Sequence, residues 1–105
     1  FLLAIILLVA LVSSCTDKEY ESFQELDSGL KLQRGNINYT FYGALPKDSL
    51  IGKQIGIING DRKHKVFEVK GFSADEWIIE YYDVIMSTYS LYKADTVAEI
   101  PDELK

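Results

Sequence analysis

The sequence predicts a mainly β fold, of the β-rich α+β class, in which about five short strands form a small antiparallel meander. We expect this meander to curl into a sheet, barrel or sandwich, with at most one or two short helical turns. Three observations predict it: strict polar–apolar alternation at 36–43, many β-branched and aromatic residues between 50 and 94, and connections too short for βαβ crossover helices.

The alternating segment NINYTFYG, residues 36–43, predicts the first strand of the domain. One face carries Ile37, Tyr39 and Phe41, so Tyr42 falls on the opposite, solvent-facing side. The following ALPKDS contains proline and aspartate, which are typical of a turn.

The next two strands are predicted at 50–60 and 65–71, joined by a hairpin at Asn59-Gly60. Within the first of them, Gly52 and Gly56 indicate either a bulge or a close approach of another part of the chain.

Two more β-rich runs, WIIEYYDV at 77–84 and STYSLYKA at 87–94, complete the meander. Ser73 followed by Glu76 is a capping-box pattern and predicts a short helical turn before the first run. A single helix over 75–92 is an alternative, although the aromatic and β-branched residues favour strands.

The composition excludes some classes of partner. A formal net charge of −5 argues against nucleic acid, which is bound by clustered lysine and arginine. The single cysteine excludes an intramolecular disulfide. No metal-ligand spacing or cofactor motif is present in the sequence, so we expect no cofactor and no bound metal.

The amino-terminal segment FLLAIILLVALV, residues 1–12, is apolar throughout. As a helix it would extend about 18 Å, which is short for a membrane span and typical of the apolar region of a signal peptide. The positive region that normally precedes it is missing, so we expect a start truncated before Phe1. The residues that follow, Val12-Ser13-Ser14-Cys15, resemble the lipobox of bacterial lipoproteins.

The lipobox resemblance implies cleavage between Ser14 and Cys15 and a diacylglycerol on the Cys15 thiol. Two acyl chains suffice for stable anchoring. The chain is then expected on the outer, extracytoplasmic face of the cell membrane, or on the outer membrane of a Gram-negative envelope. An uncleaved signal anchor is the alternative. The predicted organisation is a signal peptide at 1–14, a lipid-anchored tether at 15–35 with a helical turn or two at 19–26, and a β-rich domain at 36–105.

A second resemblance covers residues 51–83 and 91–101. The paired Ile-Gly elements of IGKQIG, the strand end VFEVKGF and the segment DEWII are similar to those of small uncharacterised lipoproteins of Gram-positive bacteria. This resemblance implies a fold and no particular activity.

No enzymatic activity is predicted. His64 is the only histidine, and its place in the basic segment DRKHK is typical of an exposed loop residue. Acidic residues are common throughout this chain, so the clustering of acidic residues within 75–83 is expected by chance. It does not indicate a carboxylate pair for hydrolysis.

We therefore expect a non-enzymatic module that binds another envelope protein. Its candidate surface combines outward-facing aromatic residues with the basic hairpin loop at 61–65: Tyr42, Tyr82, Tyr92, Arg62 and Lys63. The alternative is a small-ligand or cell-wall glycan receptor that uses Trp77 and neighbouring tyrosines as a stacking platform. Surface coverage of a β-sheet is the simpler explanation for the tyrosines.

Overall fold

Seven strands close into a barrel in the computed structural model, which describes residues 20–84 and 88–105. The strands are β1 (Glu21–Leu26), β2 (Lys31–Arg34), β3 (Ile37–Ala44), β4 (Ile51–Ile58), β5 (Asp61–Val69), β6 (Trp77–Tyr82) and β7 (Ser90–Ala94). Short 3-10 turns lie at Asp27–Gly29, Asp48–Leu50 and Asp102–Leu104. The predicted mainly β fold is confirmed, and the structure selects the barrel among the forms considered.

The strands follow the order β1-β2-β3-β7-β6-β5-β4, and β4 closes the barrel against β1. All neighbours are antiparallel except β1 and β4, which run parallel from Glu21↔Gly56 to Phe23↔Ile58. We call the end where β1 begins the lower end; it includes Arg34 and the 70–76 connection. The upper end holds the 27–30 and Asn59-Gly60 turns.

The segment predicted as a tether contains two barrel strands. Residues 21–34 form β1 and β2, so the predicted tether at 15–35 and its helical turn at 19–26 are wrong over this range. Phe23 and Leu32 are fully buried inside the barrel, and this burial holds the two strands in place. Each strand offers only one buried residue, and charged or polar residues stand on both sides of it, so the sequence shows no clear alternation here.

The five predicted strands correspond to β3 through β7, with β5 beginning earlier, at Asp61. The alternative of one helix over 75–92 is wrong, because β6 and β7 pair as antiparallel strands from Trp77↔Lys93 to Glu80↔Ser90. The expected helical turn at Ser73 is a hydrogen-bonded turn: the backbone N–H groups of Glu76 and Trp77 both donate to the Ser73 carbonyl.

One large side chain from each of the seven strands, together with Ala94 of β7, fills the interior of the barrel. The cluster is fully or almost fully buried and consists of Phe23, Leu32, Tyr39, Ile58, Val66, Ile78, Tyr92 and Ala94. At Gly56 the Phe23 ring packs directly on the backbone: an added Cβ would lie 2.6 Å from Phe23 Cδ1. The close approach, one of the two alternatives predicted at Gly56, is thus confirmed, and the register of β4 with β5 also shifts between Gln54 and Gly56.

A second apolar cluster lies on the outer face of the barrel wall. Trp77 and Ile79 flank the inward-facing Ile78, so they point outward, and they pack with Val69 and Leu91. The β3–β4 connection and the segment after β7 cover this cluster through Leu45, Leu50, Val97, Ile100 and Leu104. The apolar run Trp77-Ile78-Ile79 is therefore buried on both faces of β6.

Truncating Leu104 should loosen this covering segment. Leu104 is 1% exposed and packs in the outer cluster, so Leu104→Ala is expected to lower the free energy of unfolding by about 2 kcal/mol, since a terminal segment can partly refill the cavity. The emission of Trp77, in the same cluster, should shift to longer wavelength. Urea unfolding and fluorescence check both; Glu103→Ala, at an exposed position of the same turn, should change neither. An unchanged unfolding midpoint in Leu104→Ala would contradict the role of this residue.

Candidate functional site

The aromatic platform predicted from the sequence does not form. Trp77 is 1% exposed and Tyr92 is 4% exposed, so neither can stack on a ligand at the surface. Trp77 lies in the outer cluster with Tyr42 edge-on against it, ring centroids 5.6 Å apart, and Tyr92 points into the barrel. Tyr42 is exposed as predicted, whereas Tyr82 is half-buried. Contacts between distant parts of the chain determine how exposed these aromatic residues are. Alternation along one strand does not reveal such contacts.

The basic residues predicted for a hairpin loop belong to β5. Arg62 and Lys63 are exposed near the upper end of the barrel, while the next residue, His64, is buried. The expectation of an exposed His64 is therefore wrong. Its position is in phase with Val66, whose side chain faces the interior, and so the histidine ring enters the upper end of the barrel.

Inside the upper end, His64 forms a close pair with Glu80. The His64 Nε2 atom lies 2.5 Å from Glu80 Oε2, and both side chains are largely buried. The Tyr82 ring stacks on the imidazole with centroids 4.5 Å apart. The Tyr92 hydroxyl donates to the Gly29 carbonyl at 2.5 Å. These contacts join β5 to β6 and β7 to the β1–β2 turn, and they place paired polar groups in this end of the barrel.

Burial raises the pKa of Tyr92 above its ordinary range, and the nearby carboxylates of Glu80 and Glu25 add to the effect. Burial likewise raises the pKa of Tyr39, partly offset by the Arg34 guanidinium. The ordinary pKa of tyrosine is about 10. Near that pH an unfolded chain begins to ionise both phenols, whereas the folded barrel keeps them protonated.

These tyrosines predict a loss of stability at high pH. Below pH 10 their contribution is fully present; above it the unfolded chain loses protons that the folded chain keeps, so the free energy of unfolding falls as pH rises. The largest slope is about 1.4 kcal/mol per pH unit for each tyrosine. Tyr92→Phe should remove its share of this slope, as measured by urea unfolding between pH 8 and 11. Identical slopes for the wild-type chain and Tyr92→Phe would refute the assignment.

At the lower end, Arg34 joins three parts of the chain. Its guanidinium donates to Glu21 through Nη1 and to Asp75 through Nη2, each at 2.5 Å. The guanidinium carbon lies 5.6 Å from the centre of the Phe23 ring. Partial burial alone would lower the pKa of Arg34, but the hydrogen bond to Glu21 and the neighbouring negative charges raise it overall. The arginine is charged and held in a defined position.

A pocket of about 350 Å³ opens beside this arginine. Its lining comes from the residue before β1, from β1, β2 and β4, and from the 70–76 connection: Tyr20, Glu21, Arg34, Lys53, Gln54, Ile55 and Ala74. The Tyr39 hydroxyl donates to the Ala74 carbonyl at 2.8 Å and so ties the connection to the barrel interior. The pocket offers cationic, anionic and apolar groups to a small ligand.

None of these pocket residues was among the sequence-predicted site residues. Arg34 lay in the predicted tether, and Asp75 is 41 positions away from it along the chain. One signal was present: Gly35-Asn36 is a two-residue hairpin pattern, which would have paired 31–34 with the alternating strand after it.

Within residues 20–84 and 88–105, no helix has the length and apolar character needed to cross a membrane. The same residues hold no group of three or more His, Cys, Asp or Glu side chains that could bind a metal ion. The predicted signal peptide, with Ser14 and Cys15, lies outside the described residues. No family model, no curated protein and no solved structure matches this chain.

Proposed function

We propose that the chain is a lipid-anchored, non-enzymatic binding module on the extracytoplasmic face of the cell membrane. A diacylglycerol on Cys15 would hold it there, and the upper end of the barrel would bind another envelope protein. The observation that carries the proposal is the direction of β1, which begins at the lower end, six positions after Cys15.

This short separation gives the anchored barrel an orientation. A chain spans at most about 3.5 Å per residue, so Glu21 lies within about 20 Å of a lipid-modified Cys15. The lower end is then held near the bilayer, and the upper end points away from it. An anchored binding module needs its contact surface on the side that partners can reach.

The upper end presents such a surface, which we call the upper rim: Leu30, Phe41, Arg62 and Lys63. Leu30 is 59% exposed and Phe41 is 43% exposed, and the Phe41 N–H donates to the Leu30 carbonyl, so the two apolar side chains are neighbours. Arg62 and Lys63 are exposed at the same end. Aromatic residues and arginine are enriched in protein interfaces. The fitting partner has an apolar patch beside acidic side chains.

In-cell photocrosslinking tests the upper rim. A photoreactive phenylalanine analogue at position 41 is expected to capture a distinct envelope protein, and the same probe at Lys70, exposed near the lower end, is expected not to. Arg62→Glu together with Lys63→Glu should reduce the capture at position 41 because the charge of the rim is reversed. Capture from position 70 with none from position 41 would reject the assignment of the upper rim.

A separate experiment tests the anchor. The wild-type chain should sediment with membranes and carry a diacylglycerol-sized mass on Cys15, whereas Cys15→Ser should lose the lipid and most of the membrane association. Full sedimentation of Cys15→Ser would favour the uncleaved signal anchor instead.

Small-ligand binding is the second candidate function, and the lower-end pocket is the observation that favours it. With Trp77 and Tyr92 buried, the aromatic platform no longer supports this alternative.

A further inference from the structure

We infer that the lower-end pocket binds a zwitterionic phosphoammonium group, such as phosphoethanolamine. This group occurs as the headgroup of a bilayer phospholipid and also free in solution. The inference goes beyond the proposed protein contact, which uses the opposite end of the barrel. The inference rests on the proposed anchoring only where it names a membrane phospholipid as the source of this group.

The cationic half of the pocket is suited to a phosphate. The Lys53 side chain is exposed at the pocket and forms no ion pair within the described part of the chain. Arg34 lines the same pocket. Glu21, Asp75 and the Tyr39 hydroxyl engage three of the five N–H donors that a guanidinium carries, so donors are left for a ligand. The Arg34 side chain is 18% exposed and is held in place before a ligand arrives, which lowers the entropy cost of binding.

The anionic half is suited to an ammonium group. Glu21 lines the pocket, is 56% exposed and contacts Arg34 through one oxygen, so its second oxygen can accept a hydrogen bond from a ligand. Asp75 follows the lining residue Ala74, is 70% exposed and contacts the same guanidinium, so it adds a second negative charge at the edge of the pocket. Two cations and two carboxylates balance at this site. The two carboxylates would repel a phosphate alone, and the two cations would repel an amine alone. A ligand that carries both charges can place each one beside groups of the opposite sign.

Size and lining agree with a small ligand that has an aliphatic part. Ligand pockets usually measure about 300 to 1,000 Å³, and this one, at about 350 Å³, is near the small end. Ile55 and the Tyr20 ring supply an apolar wall for methylene groups. In an anchored chain this pocket lies on the membrane-facing side, where phospholipid headgroups are the most abundant source of such a group.

The test uses the full chain in uncharged detergent micelles, with amide NMR spectra recorded during titration with phosphoethanolamine. We expect shifts at Arg34, Gln54 and Ala74, with inorganic phosphate and ethanolamine each binding about tenfold more weakly. Lys53→Gln and Asp75→Asn should each weaken phosphoethanolamine binding by about fivefold, as expected for loss of one partly exposed ion pair. Lys47→Gln removes an exposed lysine of the β3–β4 connection and serves as the matched control.

Vesicles then distinguish the two sources. We compare retention of the wild-type chain and of Lys53→Gln on two kinds of vesicle. A lipid ligand is indicated if the wild-type chain is retained better on vesicles rich in phosphatidylethanolamine but not on phosphatidylcholine vesicles. The quaternary ammonium of phosphatidylcholine has no N–H to donate to the pocket. Phosphoethanolamine binding without that difference would support the pocket and assign a soluble ligand. Equal affinities for phosphate and phosphoethanolamine, or no effect of Lys53→Gln and Asp75→Asn, would overturn the inference. Crosslinking at the upper rim depends on none of these results.

Discussion

Gly56→Ala is expected to lower the free energy of unfolding by about 3 kcal/mol, at the upper end of the usual cost of overpacking a core. An added Cβ would lie 2.6 Å from Phe23 Cδ1 and 2.7 Å from the Glu21 carbonyl oxygen. The second contact is with backbone of β1, which pairs with β4 to close the barrel. Rotation of a side chain cannot relieve it, so the strands must separate. Urea unfolding followed by circular dichroism measures the loss.

Gly43→Ala is the matched control for this prediction. A Cβ at Gly43 would meet no atom within 4 Å, so alanine there should change the free energy of unfolding by less than about 0.5 kcal/mol. In a Phe23→Leu background the additional cost of Gly56→Ala should shrink, because part of the clash is with the phenylalanine ring. Equal costs at Gly43 and Gly56 would show that the seam between β1 and β4 tolerates a side chain.

Glu80→Ala is expected to be the second large effect, with a loss of about 2 to 3 kcal/mol. His64 is 7% exposed, and its Nε2 atom has Glu80 as its hydrogen-bond partner. Without the carboxylate, a buried polar nitrogen loses that partner inside the barrel. Glu76→Ala, at an exposed position just before the same strand, should have little effect on unfolding.

A double-mutant cycle isolates the pair from its surroundings. The losses for His64→Ala and Glu80→Ala should sum to more than the loss for the double variant, by about 1 to 3 kcal/mol, because either single change already breaks the interaction. Strict additivity would mean that the close approach of the two side chains contributes nothing to folding. It would also remove the main evidence that paired polar groups stabilise the upper end of the barrel.

Both large effects come from positions whose importance depends on distant parts of the chain. The sequence pattern predicts a bulge or a close approach at Gly56, but not that Phe23 makes the approach, because Phe23 lies in the predicted tether. The cationic neighbours of His64 in the sequence predict an exposed loop residue. Its burial follows from the earlier start of β5, which extends the inward–outward alternation of Val66 back to the histidine.

The sequence by itself determined the β-rich class, the strands from Ile37 onward, the turn at Asn59-Gly60 and the outward position of Tyr42. These depend on local alternation, turn chemistry and β propensity, which are readable within a few residues. Only the tertiary structure decided that β1 and β2 join the barrel, that Trp77 and Tyr92 are buried, and that Arg34 meets Asp75. Each of these rests on contacts between residues far apart in the chain. Barrel closure brings those residues together, and a pattern within a few residues does not reveal which strands will become neighbours.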